Sequence, residues 1–246
     1  MEILLHVKEL SKSQILHEIS FDMEQGEMLA VMGPSGSGKS TLLYNVASMD
    51  QPDRGEVWLG NTEIVRLSEN EKARLRLHRM GFVFQQMNMM ANLDILDNIL
   101  LPAVQANRGR GGKTKAQLTA KAKALMEKLS ICGLETRRIT EVSGGQLQRA
   151  CICRSLMNDP EILFADEPTG ALNRSAAAEV MSELVKLNRE STAVLVVTHD
   201  SRVAAECGRI LYLLDGRISG ELTLNQTADA KRREDKVNQW LKEMGW

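Results

Sequence analysis

The chain has 246 residues, 43% of them hydrophobic and 26% charged, which is enough apolar material for a buried core and excludes a disordered chain. Its formal net charge of −1 gives no global attraction to a polyanion, so nucleic acid is not an expected partner. No apolar run is long enough to predict a membrane-spanning helix, and the opening MEILLHVKEL lacks the basic region and long apolar stretch of a secretory signal.

Residues 1–32 read as three short strands: EILLHV, ISFDM and, after a turn at Gln25-Gly26, EMLAVM. The glycine-rich stretch GPSGSGKST follows at 33–41, and TLLYNVASM reads as a helix. Residues 55–67 return to strand character in EVWLG and TEIVRL, before a short helix in NEKARLRLHRM and a strand in GFVFQQ. From about 87 to 158 the pattern is mostly helical. There DILDNILLPAVQA carries an apolar stripe that closes at Pro102 or a little beyond, and NRGRGGK is a solvated basic loop. KAQLTAKAKALMEKLSI and QLQRACICRSLM continue the helical spacing up to Asp159-Pro160.

Strand character resumes in EILFAD, AVLVVT and RILYLL, with the helix SAAAEVMSELVKLN between the first two. Asp215-Gly216 is a hairpin signal ahead of RISGEL. This alternation predicts an α/β fold, a mainly parallel sheet covered on both faces. One domain is expected over 1–225, with the helical part at about 87–158 inside it and a helical tail at 226–246. In the tail, Val237, Trp240, Leu241 and Met244 share one helical stripe, which predicts docking on this domain or a partner, with a membrane surface as the alternative. Of the four cysteines, Cys151 and Cys153 form a C-x-C within a helix and point to different faces, poor geometry for a shared metal. With Cys132 and Cys207 they read as small buried thiols.

GPSGSGKS matches G-x-x-x-x-G-K-[ST] between an apolar strand and a helix, the setting a phosphate-binding loop requires. Backbone N–H groups across Ser35, Gly36, Ser37, Gly38, Lys39, Ser40 and Thr41 would converge on phosphate oxygens. Lys39 supplies a point charge to the β and γ phosphates, and the Ser40 hydroxyl is a ligand for Mg²⁺. ILFADE puts Asp166 and Glu167 at the C-terminal end of a buried strand, expected beside that of the phosphate loop. There Asp166 would hold Mg²⁺ through water, and Glu167 would polarise an attacking water as general base. Gln85 ends GFVFQ and His199 ends VLVVTH. A histidine there is either structural or, on a strand beside the phosphate loop, within reach of the γ-phosphate. A second glycine-rich helix start, VSGGQLQRA at 142–150, also suits an anion but carries no lysine.

A phosphate loop, SGGQ, an apolar strand ending in DE and a strand ending in His, in that order, resemble the ABC transporter ATPases over roughly residues 3–222. The resemblance implies a P-loop NTPase of ABC type, with a RecA-like mainly parallel core, an antiparallel β subdomain and an inserted helical subdomain. It implies an ATPase using ATP and Mg²⁺, with Glu167, His199 and Gln85 in catalysis and Ser40, Gln85 and Asp166 at the metal. Two copies would pair head to tail around two ATP, and Ser143, Gly144, Gly145 and Gln146 would cap the γ-phosphate held by the other copy. The chain would lie on the inner face of the cell membrane through a permease, received near residues 85–98. There Met87, Met89 and Met90 are either core filler or an adaptable groove.

Within the family, ADEPTGALN, VTHDSRVAAECGRILYLLDGRI and NILLPA look like the MacB and LolD type, closest to bacitracin-type peptide-antibiotic export and resistance. An ATPase of the LolD or cell-division type, driving lipoprotein release or mechanical signalling, is an alternative. A non-transport ABC ATPase is another, disfavoured by the modest helical insert and the single ATPase half. Three departures from the family pattern stand out. Gln14 or Ser13 occupies the place of an adenine-stacking aromatic, Asn173 replaces the aspartate of GALD, and Val142 replaces the leucine ahead of SGGQ.

Overall fold

The structure is a computed structural model that describes residues 2–108 and 112–246. Residues 109–111, the middle of the basic loop predicted over NRGRGGK, lie outside the described residues. Two sheets organise the chain. Strands β1 (Ile3–Lys12), β2 (Leu16–Glu24), β4 (Arg54–Leu59) and β5 (Thr62–Glu63) form an antiparallel sheet of order β2-β1-β4-β5. The second sheet contains β3 (Met28–Met32), β6 (Met80–Phe84), β7 (Ile162–Asp166), β8 (Ala193–Val197), β9 (Arg209–Leu214) and β10 (Arg217–Thr223), in the order β10-β9-β3-β8-β7-β6. All its pairings are parallel except β9 with β10. That hairpin turns at Asp215 and Gly216, with φ of 46° and 71°, the two positive values a type I′ turn needs.

The parallel strands β3, β7 and β8 are fully buried, and their side chains alternate between two cores. Ile162 and Phe164 of β7 face one core, and Leu163 and Ala165 face the other. β8 divides in the same way, with Leu195 on one side and Val194 and Val196 on the other. The period of two across a strand therefore serves two packing layers at once. The first core lies against α1 (Lys39–Val46), α2 (Glu69–Arg79) and the antiparallel sheet. The second lies under α3 (Ile95–Ala106), α4 (Lys115–Lys128), α5 (Gly144–Leu156), α6 (Arg174–Arg189), the short α7 (Ser201–Ala204) and α8 (Ala230–Glu243). Each fully buried Leu, Ile or Val contributes about 1.5–3 kcal/mol.

Sequence expectations change in the structure for the extent of the TEIVRL strand and the burial of Cys132. TEIVRL keeps only Thr62 and Glu63 as strand. Ile64 plugs the core at 1% exposure, and the Ser68–Glu71 capping box then turns the chain into α2. Pro102 sits inside α3, which closes a little beyond it at Ala106. Proline forfeits the bond to the Asn98 carbonyl, a cost of about 3 kcal/mol, but Ile95, Ile99, Leu100 and Ala103 hold the helix to the core on both sides of it. Cys132 is exposed, while Cys151, Cys153 and Cys207 are buried. The tail stripe docks on this domain. Val237 and Leu241 are buried, Trp240 meets Tyr212 edge-on, and Arg233 of α8 pairs with Glu206 just beyond α7.

Candidate nucleotide site

The strand register lines up the candidate residues. Phe84 of β6 pairs with Asp166 of β7, Asp166 with Val197 of β8, and Val197 with Val31 of β3. The residues that follow this row, Gln85, Glu167, Thr198-His199 and Met32 with the phosphate loop, leave the sheet together at its carboxyl edge, where open α/β sheets bind ligands. His199 follows the strand beside β3, as expected, but β8 lies between β3 and β7. The acidic strand is therefore two places from the phosphate loop and not adjacent to it. Asp166 bridges the gap because α1 crosses over the sheet to meet it.

The phosphate loop is built around left-handed backbone. Gly38, the N-cap of α1, has φ of 101°, and a Cβ there would come within 2.9 Å of Leu16 Cδ2. Any side chain would be strained twice over. The first helical bond of α1 runs from Leu42 N–H to Gly38 C=O at 2.8 Å, so the N–H groups of Lys39, Ser40 and Thr41 remain for an anion. Lys39 Nζ donates to the carbonyls of Gly33 and Pro34, both at 2.8 Å, and so folds back across its own loop. Burial pushes its pKa down, and the Glu167 and Asp166 carboxylates oppose that shift. The Ser37 hydroxyl is buried and has no hydrogen-bond partner among the described residues. An orphaned hydroxyl, free helix-start amides and a loop cation together fit a polyphosphate.

Ser40 Oγ donates to Asp166 Oδ1 and Tyr44 OH to Asp166 Oδ2, each at 3.0 Å. Burial, with the hydrogen bond to Asp166, holds the Tyr44 phenol above its usual pKa. A carboxylate held by a serine hydroxyl suits a hard divalent cation such as Mg²⁺. Tyr44 was missed by sequence reasoning, although the signal was available. It lies four residues after Ser40 on one face of α1 and so shares its target. Glu167 has φ of 47°, rare for a non-glycine residue. Its Oε1 lies 2.8 Å from His199 Nδ1, and Thr198 Oγ1 donates to its Oε2 at 3.4 Å. Gln85 and Asp166 line one cavity of about 460 Å³ with Tyr44 and Phe84. The Gln85 amide lies over Gly170, where an added Cβ would meet Nε2 at 2.8 Å.

The second glycine-rich helix start packs on the loop after β7, where a Gly144 Cβ would lie 3.4 Å from Leu172 Cδ2. No hydrogen bond among the described residues joins Ser143, Gly144, Gly145 or Gln146 to the phosphate loop. Ser143 caps α5, accepting from Gln146 N–H at 3.3 Å, while Gln146 Oε1 accepts from Ser143 N–H at 2.9 Å. Gly145 also has a packing role that sequence reasoning did not assign, since a Cβ there would come 2.9 Å from Ala176 Cβ on α6. Asn173 caps α6, its Oδ1 accepting from Ala176 N–H at 3.0 Å, a role asparagine fills about as well as aspartate. At the β1–β2 turn, Ser13 is tied to Asp53 and Gln14 is exposed. Beside the buried Leu16, Ile15 also lies against the phosphate loop, 45% exposed, with Cγ2 3.2 Å from the position of a Gly38 Cβ.

Beside Gln85 lies an apolar groove of about 580 Å³, lined by Met49, Leu77, Phe82, Phe84, Leu101 and Val104 among others. Its walls come from α2, β6, α3 and α5, not from the methionine cluster. Met89 packs on the core, and Met90 is exposed outside the groove.

The model of the ABC transporter family matches residues 16–170. The macrolide export ATP-binding/permease protein MacB of Burkholderia pseudomallei (strain 1710b) is 40% identical over 216 residues, 88% of this chain and 32% of that protein. This chain thus spans about a third of the length of the MacB relatives it matches. The ABC transporter ATP-binding protein YxdL of Bacillus subtilis (strain 168) is 39% identical over 230 residues, 90% of this chain and 88% of that protein. Among solved structures, a dimeric post-hydrolysis state of the ATP-binding cassette MJ0796 bound to ADP and Pi superposes with a TM-score of 0.83 at 34% identity, covering 90% of this chain and 99% of that one. A site assembled at the carboxyl edge of a parallel sheet, on a fold shared with that cassette and a sequence shared with MacB and YxdL, places the chain in the ABC transporter family, as an ATP-binding cassette of the MacB-like group.

Proposed function

We propose that the chain is the ATP-hydrolysing motor of a transporter, working as a head-to-tail pair that drives a membrane permease. The observation that carries this reading is the common carboxyl edge, where Lys39, Ser40, Gln85, Asp166, Glu167 and His199 leave four strands of one sheet. Ser40, Asp166 and Gln85 would hold Mg²⁺, which supplies positive charge to the β and γ phosphates. Lys39 turns from its own loop carbonyls to the phosphate oxygens. Glu167 accepts a proton from the attacking water, and His199, 2.8 Å from it, holds that carboxylate in place and reaches toward the γ-phosphate. Ile15 gives the base an apolar but non-aromatic contact, so selection of adenine over guanine is weak.

That Ser143–Gln146 shares no hydrogen bond with the phosphate loop of its own copy among the described residues supports action on the other copy's nucleotide, and the MJ0796 cassette is described as dimeric. The MacB relatives are named ATP-binding/permease proteins, and about two thirds of their length has no counterpart here. Their named role in macrolide export supports a permease as the element this cassette drives, seated in the groove beside Phe84, and an amphiphilic antimicrobial compound as cargo. Among the described residues no helix is long and apolar enough to cross a membrane.

The test is ATP-dependent dimerisation of Glu167→Gln, followed by light scattering. Glu167→Gln is expected to lose activity by a factor of about 10² or more while binding ATP, and to dimerise with Mg²⁺ and ATP. Adding Ser143→Arg is expected to abolish the dimer without loss of nucleotide binding. A dimer that survives Ser143→Arg would remove the role in trans.

A further inference from the structure

The loop after β6, which carries Gln85, is held by the helix that starts with the second glycine-rich motif. Three side chains on one side of α5, spaced by three residues, reach its backbone carbonyls. Gln148 Nε2 donates to Phe84 C=O at 3.2 Å, and Cys151 Sγ to Met87 C=O at 3.2 Å. The Arg154 guanidinium forks between Met87 C=O at 2.9 Å and Asn88 C=O at 2.8 Å. Asn88 has φ of 46°, so the backbone is bent where the fork grips it. At the far end, buried Asn98 of α3 accepts from Met90 N–H at 2.8 Å and donates to the carbonyls of Met90, Leu93 and Asp94. Phe84 and Arg154 also line the apolar groove. The contact is not saturated, because Gln148 Oε1 is buried and has no partner among the described residues. A buried acceptor without a donor favours any arrangement that supplies one.

We propose that Gln148, Cys151 and Arg154 are positioning residues that make the 84–88 segment and α5 move as one body. A permease segment seated in the groove then acts on Ser143–Gln146 through Arg154, and not on Gln85 alone. This rests on the motor reading for its purpose. A guanidinium gripping two successive carbonyls transmits rotation better than a single bond, because the fork fixes orientation as well as distance.

Amide hydrogen exchange of the full chain without nucleotide tests the coupling directly. In Arg154→Met, exchange is expected to quicken about tenfold in both 86–91 and 143–149, with β7 and β8 unchanged and Arg154→Lys in between. Quickening of 86–91 alone, or of neither segment, overturns the proposal. Should Arg154→Met fail to fold, Cys151→Ala is expected to loosen both segments and Cys151→Ser to restore them; equal exchange in the two overturns it. In ATP hydrolysis, Arg154→Met is expected to lower kcat with KM for ATP within about twofold, and Gln85→Ala/Arg154→Met to be slower than Gln85→Ala, but by less than the Arg154→Met loss measured alone. Losses that multiply would mean that the residues act separately. If the parent chain hydrolyses no ATP, the motor reading falls, and the exchange result still decides the coupling.

Discussion

Lys39 is the residue whose chemistry the fold alters most visibly at the candidate site. It is partly buried against its own loop, and burial depresses its pKa despite Asp166 and Glu167. Phosphate favours the cationic form, so nucleotide binding raises that pKa. Affinity is therefore full below the depressed value of the free chain and falls as pH rises through it. Titrating ATP affinity from neutral to alkaline pH is expected to show this fall, with proton uptake on binding. Lys39→Arg, which does not titrate in that range, is expected to bind with a flat profile; an equal fall in that variant would assign the effect elsewhere. Lys39, Ser40, Asp166 and Glu167 were legible in the sequence because their motifs fix backbone setting as well as residue type. Tyr44, one turn after Ser40 on the same face of α1, was legible but missed, whereas Ile15 was not legible, because its contact depends on where the β1–β2 turn comes to rest.

At the scale of elements, the glycines of SGGQ carry a packing demand besides any ligand they meet. Gly145 lets α5 approach α6 at Ala176, and a single methyl there overfills the contact. Gly145→Ala is expected to cost about 1–3 kcal/mol in chemical denaturation, and Gly145→Ala/Ala176→Gly to recover most of it. If the second change restores nothing, the crossing is not what limits the position. The longer helices and strands were readable, because period and caps agree with tertiary burial, whereas the four-residue α7 is too short to show a period and was not predicted. Elsewhere burial overrules local preference. Pro102 is held within α3 by apolar residues on both sides of it, and Ile64 leaves the strand path to fill the core. The order of strands was not readable, since nothing local in ILFAD or AVLVV records which of them neighbours β3.

Across the whole molecule, the second core joins parts that are far apart in sequence. Leu118 and Met126 of α4, Leu163 of β7 and Leu241 of α8 belong to one continuous apolar layer. The tail therefore contributes to the stability of the nucleotide-binding sheet itself. Leu241→Ala is expected to cost about 2–5 kcal/mol and to shift the entire thermal transition, with near- and far-ultraviolet circular dichroism moving together. A separate early transition confined to helix signal would make α8 an appendage. The same layering gives the chain a built-in clock. Cys132 stands in solvent, whereas burial pushes the Cys151 thiol up to about 11 and raises Cys153 and Cys207 as well. An alkylating reagent at neutral pH is thus expected to add one adduct quickly and three more only as the chain opens. Counting adducts by mass on the peptides that carry Cys151-Cys153 and Cys207 against time reads the opening of α5 and of the segment after α7 separately, with no residue changed.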